Sequence, residues 1–158
     1  MKLLGALLLM ASGLACGLGR AWELKSRVSA LAELKRFIQQ TRTEVLYAAR
    51  PLGQVLALDE SRFGQEARRQ AVFDRDPLEA LKQAGQDILA SEKDRNLFNQ
   101  FAEGLGASGV QGQQEHFQLY GALLEEQLAQ AQGEYREKYR LYTALGLFAG
   151  VAVCIVVI

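Results

Sequence analysis

Residues 117–158, "FQLYGALLEEQLAQAQGEYREKYRLYTALGLFAGVAVCIVVI", decide how this chain folds. Phe117, Tyr120, Leu124, Leu128, Ala131, Tyr135 and Tyr142 recur in steps of three, four or seven, and no proline interrupts them. That spacing lays one apolar stripe along an α-helix. The stripe then merges into residues 141–158, which carry no charge at all. Eighteen helical residues reach roughly 27 Å at about 1.5 Å per residue, close to the hydrocarbon thickness of about 30 Å. The pattern predicts one helix running from about residue 110 into a membrane span.

The other end of the chain has the same character. Residues 3–19, "LLGALLLMASGLACGLG", are also uncharged and predict a first span. A cleaved signal or a lipoprotein box at "GLAC" is the alternative for this end, although no small-x-small site precedes a polar mature start. Arg20, Lys25 and Arg27 follow the first stretch and Arg136, Lys138 and Arg140 precede the second. By the positive-inside tendency this asymmetry puts the middle of the chain in the cytoplasm. Gly13 with Gly17, and Gly146 with Gly150, form small-xxx-small ridges that let two span helices pack closely. The organisation expected is therefore all-α: an anchor at 1–20, a cytoplasmic helical bundle at 21–140 and a second anchor at 141–158. Cys16 and Cys154 fall at different depths of antiparallel spans, so no disulfide between them is expected.

Helical periodicity fills the middle. Leu24, Val28, Leu31, Leu34, Ile38, Thr41 and Val45 describe one face of a long helix, which Pro51 stops because its ring and missing N–H do not fit a helix interior. A short helix follows at Leu52–Leu56 and a weak one near Phe63–Val72. Asp76 before Pro77 reads as an N-cap with a first-turn proline. Ser91 and Asp94 imitate a capping box ahead of the stripe Leu97, Phe98, Phe101 and Leu105.

The chemistry-bearing residues are few. The chain of 158 residues has 18 basic and 18 acidic side chains and one histidine, His116. No basic excess marks a nucleic-acid footprint. No Cys-x-x-Cys or His-Glu-x-x-His motif offers a metal site, and no Gly-x-Ser-x-Gly turn offers a nucleophile. No cofactor is expected. The Gly-x-Gly-x-x-Gly from Gly104 to Gly109 follows a helix rather than a strand, which argues against phosphate binding. In "EGLGASGVQGQQEHFQLY", residues 103–120, Gly104 or Gly106 ends one helix and Ser108 offers a cap to the next. That leaves Gln113 and Gln114 as polar groups at the tip of a helical hairpin.

Taken in order, the first span, "LKRFIQQTRTEVLYAARPLGQVL" at 34–56, "FAEGLGASGVQGQQEHF" at 101–117 and "YTALGLFAGV" in the final span resemble the stage III sporulation protein AB family. Glu44, Tyr47, Pro51 and Leu52 carry the first part of the resemblance, and Leu105, Gly106, Ser108 and Gln113 or Gln114 the second. The family usually has Asp after that serine, where this chain has Gly109. The resemblance implies a non-enzymatic platform subunit in the mother-cell membrane facing the forespore. It is similar to the inner-membrane platform protein of type II secretion and type IV pilus machines, so the partners implied are a cytoplasmic secretion-type ATPase and the other stage III sporulation subunits, with self-association left open. The contact residues expected are Glu44, Tyr47, Pro51, Leu52, Gly104, Gly106, Gln113 and Gln114, in loops held by rigid helices. The competing reading is a two-span sensor or assembly scaffold with an extracytoplasmic domain, which would place a signalling module beyond the second span.

Overall fold

The structure, a computed structural model, describes the backbone of residues 2–48 and 50–157 and the side chains of 22–48, 50–142, 144 and 145. Six helices make up the described chain: α1 (Lys2–Leu46), α2 (Leu52–Leu58), α3 (Arg62–Arg69), α4 (Pro77–Ile88), α5 (Glu92–Gly104) and α6 (Val110–Val157). No strand occurs among the described residues. Helix α6 begins at the position its apolar stripe predicts. Helix α1 ends before Pro51, as expected, with its last residue at Leu46.

Among the described residues no helix is long and apolar enough to cross a membrane. The two spans expected at 1–20 and 141–158 fall almost wholly on residues whose side chains lie outside those described. The close packing expected of Gly13 and Gly17 in the first span, and of Gly146 and Gly150 in the second, likewise falls outside the residues whose surroundings are described, as do Cys16 and Cys154. The chain divides into two compact units, Ser29–Ala129 and the combination of Met1–Val28 with Gln130–Ile158.

In the unit formed by Ser29–Ala129, α4 packs against α3 and α5 while α2 packs against α3 and α4. Its core is organised by an aromatic spine. Phe37 of α1 stacks on Phe63 of α3 with centroids 5.5 Å apart. Phe63 meets Phe98 of α5 at 5.3 Å, and Phe98 meets Phe101 at 6.4 Å. Phe101 then touches Phe117 of α6 edge-on at 5.6 Å and Tyr120 at 5.9 Å. Phe37, Phe63, Phe98, Phe101 and Phe117 are all buried. Offset and edge-on ring pairs of this kind contribute roughly 0.5–1.5 kcal/mol each beyond the apolar area they remove from water. The spine thus joins four of the six helices through contacts distant in sequence.

Local signals account for where the short helices start and stop. Asp76 caps α4, its Oδ1 accepting from the Glu79 N–H at 3.0 Å, with Pro77 in the first turn. Ser91 stands at the N-cap of α5 but makes no side-chain cap hydrogen bond, so the capping box read there is not formed through its hydroxyl. Helix α3 stops at Arg69, short of Val72, where Phe73 and Arg75 donate to Gln70 and Val72 in successive tight turns. The C-terminal carbonyls of α2 are met by a side chain: Arg68 Nη1 donates to the Ala57 oxygen at 3.3 Å and to the Asp59 oxygen at 2.7 Å. A cation is favoured at that end of the helix dipole, and the carbonyls there lack intrahelical donors. Asp59, itself buried, accepts from the Ser61 N–H at 3.2 Å and from its hydroxyl.

Candidate partner interface

Two segments carry the residues singled out in the sequence. The first joins α1 to α2. Glu44, half-buried on the last turns of α1, accepts from Arg50 Nη1 at 2.8 Å, and the Arg50 N–H donates to the Glu44 carbonyl at 3.4 Å. These bonds close the chain reversal, and between them Tyr47 stands 83% exposed. Pro51 is the N-cap residue of α2, where its carbonyl accepts from the Gln54 and Val55 N–H groups at 2.9 and 3.2 Å. Leu52 turns partly into the core.

The second segment joins α5 to α6. Gly106 has φ +75°, the left-handed conformation that favours glycine, and it provides the reversal. Nothing lies within 4 Å of a Cβ built there, so conformation alone selects the residue. Gly106→Ala is accordingly expected to cost about 1 kcal/mol of stability, read as a fall in the thermal midpoint. Gly104 contributes differently: it is the last residue of α5 and its Cα faces the His116 ring, where a Cβ would overlap the imidazole.

The two glutamines separate. Gln113 points inward and is only 3% exposed. Its Nε2 donates to the Gly104 carbonyl at 2.8 Å and to Ser108 Oγ at 3.1 Å, so it ties the end of α5 to the start of α6 rather than offering a polar surface. Ser108 therefore serves as acceptor for a side chain, one residue before the N-cap position. Gln114 is exposed. His116 is a packing residue: its ring stacks on Phe101 at 5.5 Å and approaches Tyr120 to 4.6 Å. Its Nε2–H donates to the Phe101 carbonyl at 2.8 Å, a tautomer assigned because a carbonyl oxygen can only accept.

The register of α1 against α6 brings the two segments to one end of the unit. Lys35 Nζ sits 2.7 Å from Glu125 Oε1 across the antiparallel pair. Below this pair lies a groove of about 290 Å³ with Ile38, Phe117 and Leu124 at its base and Arg42 and Gly121 on its rims. Carried about three turns further, the same register sets Leu46 level with Gln114. By this register Tyr47 and the first turn of α6, where Val110 is 70% exposed, fall towards the same end of the unit. That end exposes an aromatic ring and an isopropyl group on backbone that hydrogen bonds hold in place.

Sequence reading missed three features. Phe37, three residues after Leu34, lies outside the apolar stripe read from the spacing yet is buried. The Asp59, Ser61 and Arg68 cluster reads in sequence only as polar loop. The groove has no local signature, since α1 and α6 meet across some eighty residues of chain.

Among the described residues no group of three His, Cys, Asp or Glu is placed to hold a metal ion. Comparison with curated proteins and with solved structures gives no match. The family model for stage III sporulation protein AB, by contrast, matches residues 2–158, from end to end of the helical pattern described above, and the chain belongs to that family.

Proposed function

We propose that this protein is a non-enzymatic membrane platform subunit of the complex that sporulating bacteria build between mother cell and forespore. Both ends are anchored in the mother-cell membrane, and the Ser29–Ala129 unit is presented in the cytoplasm to a secretion-type ATPase and to the other subunits. The uncharged stretches at 3–19 and 141–158 support the anchoring.

The observation that carries the reading is the two-loop end of the helical unit. Tyr47, in the turn after α1, and Val110, the first residue of α6, are exposed there at 83% and 70% on backbone braced by the Glu44–Arg50 and Gln113–Gly104 bonds. A contact with a motor transmits movement only if it does not yield, and an exposed tyrosine on fixed backbone suits a binding hot spot. Arg42 adds a cation on α1, at the rim of the groove.

Capture of the complex's ATPase by the detergent-solubilised full-length chain tests the proposal. The wild-type chain is expected to retain it, and Tyr47→Ala to weaken retention about tenfold, equivalent to about 1.4 kcal/mol. Tyr47 contributes little to the core, so the variant should keep its thermal midpoint. Failure of the wild-type chain to retain the ATPase, or equal retention by Tyr47→Ala, rejects the assignment.

A further inference from the structure

The Met1–Val28 and Gln130–Ile158 unit exposes a group of side chains that the ATPase contact does not use. Trp22 is 71% exposed on α1, and Tyr139, Leu141 and Leu145 are 54%, 57% and 56% exposed on α6. Arg27 Nη1 lies 3.4 Å from Glu134 Oε2 and marks the antiparallel register of the two helices here. Counting five residues from that pair in each direction places Trp22 level with Tyr139. The rings of Tyr135 and Tyr139 pack tilted, with centroids 5.9 Å apart, and Lys25 Nζ lies 5.9 Å from the Trp22 ring centre. Arg136, Lys138 and Arg140 are exposed around the same level.

We infer that this level is a collar seated in the headgroup layer of an anionic phospholipid bilayer, with Trp22 and Tyr139 at the boundary between water and hydrocarbon. The inference rests on the membrane anchoring proposed above and adds the depth and the lipid class. Tryptophan and tyrosine settle at that boundary because one edge of each ring is apolar and the other carries a hydrogen-bonding group. Both helices reach the level together, and once Arg20 and Arg140 are passed towards the termini neither residues 3–19 nor 141–158 carry a charge. Within five residues of the level Arg20, Lys25, Arg27, Arg136, Lys138 and Arg140 outnumber Glu23, Glu134 and Glu137 in the sequence, and Arg27 is already paired with Glu134. The remaining cations complement phosphate groups, and their attraction to an anionic surface acts within a Debye length. A second protein covering Trp22 and Tyr139 would not call for cations on both helices at one height.

Trp22 is the only tryptophan of the chain, so its fluorescence reports this level without labelling. The full-length protein is reconstituted in phosphatidylcholine vesicles with or without phosphatidylglycerol, together with lipids carrying a nitroxide either near the headgroup or near the end of the acyl chain. The shallow nitroxide is expected to quench Trp22 more than the deep one, and a nitroxide on phosphatidylglycerol more than one on phosphatidylcholine. Replacing Lys25, Lys138 and Arg140 by glutamine, all exposed and therefore neutral to the fold, should abolish the preference for phosphatidylglycerol while the shallow quenching persists.

A chain that floats with vesicles while Trp22 stays unquenched by either nitroxide and open to aqueous iodide overturns the collar alone. Equal quenching from the two headgroups overturns the lipid class. A chain that does not float with vesicles overturns the collar and the anchored platform together, whereas loss of ATPase capture with Trp22 quenched as expected leaves the collar standing.

Discussion

Phe101→Ala is expected to lower the stability of the helical unit by about 3–5 kcal/mol, as removal of a fully buried phenylalanine ring generally does. The magnitude follows from its position. Phe101 is 1% exposed and meets four rings, those of Phe98, His116, Phe117 and Tyr120. Deleting it loses the transfer of the ring out of water and leaves a cavity whose walls belong to two helices. Those walls cannot close independently, because Phe98 is also held by Phe63 and Phe117 by α6. Against a typical domain stability of about 5–15 kcal/mol the loss is large. Thermal and urea unfolding of the full-length chain, followed by circular dichroism, measures it. Phe101→Leu, which keeps most of the bulk, should lose less. A loss below about 1 kcal/mol for the alanine variant would mean that the spine repacks freely and is not the organising element.

Gly85→Ala is expected to destabilise the protein although it replaces the poorer helix former with the better one. In an exposed helix the change would stabilise by up to about 1 kcal/mol. Here a Cβ on α4 would overlap Cδ1 and Cε1 of Phe98. That ring is 1% exposed and sits between Phe63 and Phe101, so it has nowhere to move. Overpacking of a full core costs about 1–3 kcal/mol, which outweighs the propensity gain. The mechanism is checked by a double-mutant cycle with Phe98→Leu. Making room on α5 should relieve the alanine, giving a favourable coupling of about 0.5–3 kcal/mol. Additive losses would show that the cost arises elsewhere.

The helices with strong local patterns were legible in the sequence. The stripe from Phe117 onward located α6, and the Leu31, Leu34, Ile38 and Thr41 face of α1 is buried as its spacing requires. Asp76 with Pro77 located the start of α4, and Gly106 supplied the positive φ that ends the α5 reversal. Each of these signals acts within one or two turns of chain, where neighbouring residues meet whatever the rest of the protein does. Family membership was legible too, because it rests on the order of such segments.

The direction of individual side chains within the candidate interface was not legible. Gln113 and Gln114 are adjacent, polar and identical in kind, yet one is buried against Gly104 and Ser108 and the other is exposed. Which of the two turns inward depends on the angle at which α6 leaves the Gly106 reversal, and that angle is set by the packing of His116 and Phe117 on Phe101. For the same reason Glu44, which looks in sequence like a surface charge available to a partner, is engaged by Arg50 across the turn.

By itself the sequence determined the helical class, the two long terminal helices, most helix ends and the absence of a recognisable catalytic motif, since periodicity, caps and glycine conformations are properties of short stretches of backbone. Only the tertiary structure decided that Phe37, Phe63, Phe98, Phe101 and Phe117 form one spine, that Arg68 closes the end of α2, and that Gln113 ties the end of α5 to the start of α6. Those contacts join residues far apart along the chain, and their distances follow from how whole helices pack, a quantity to which no single stretch of sequence corresponds.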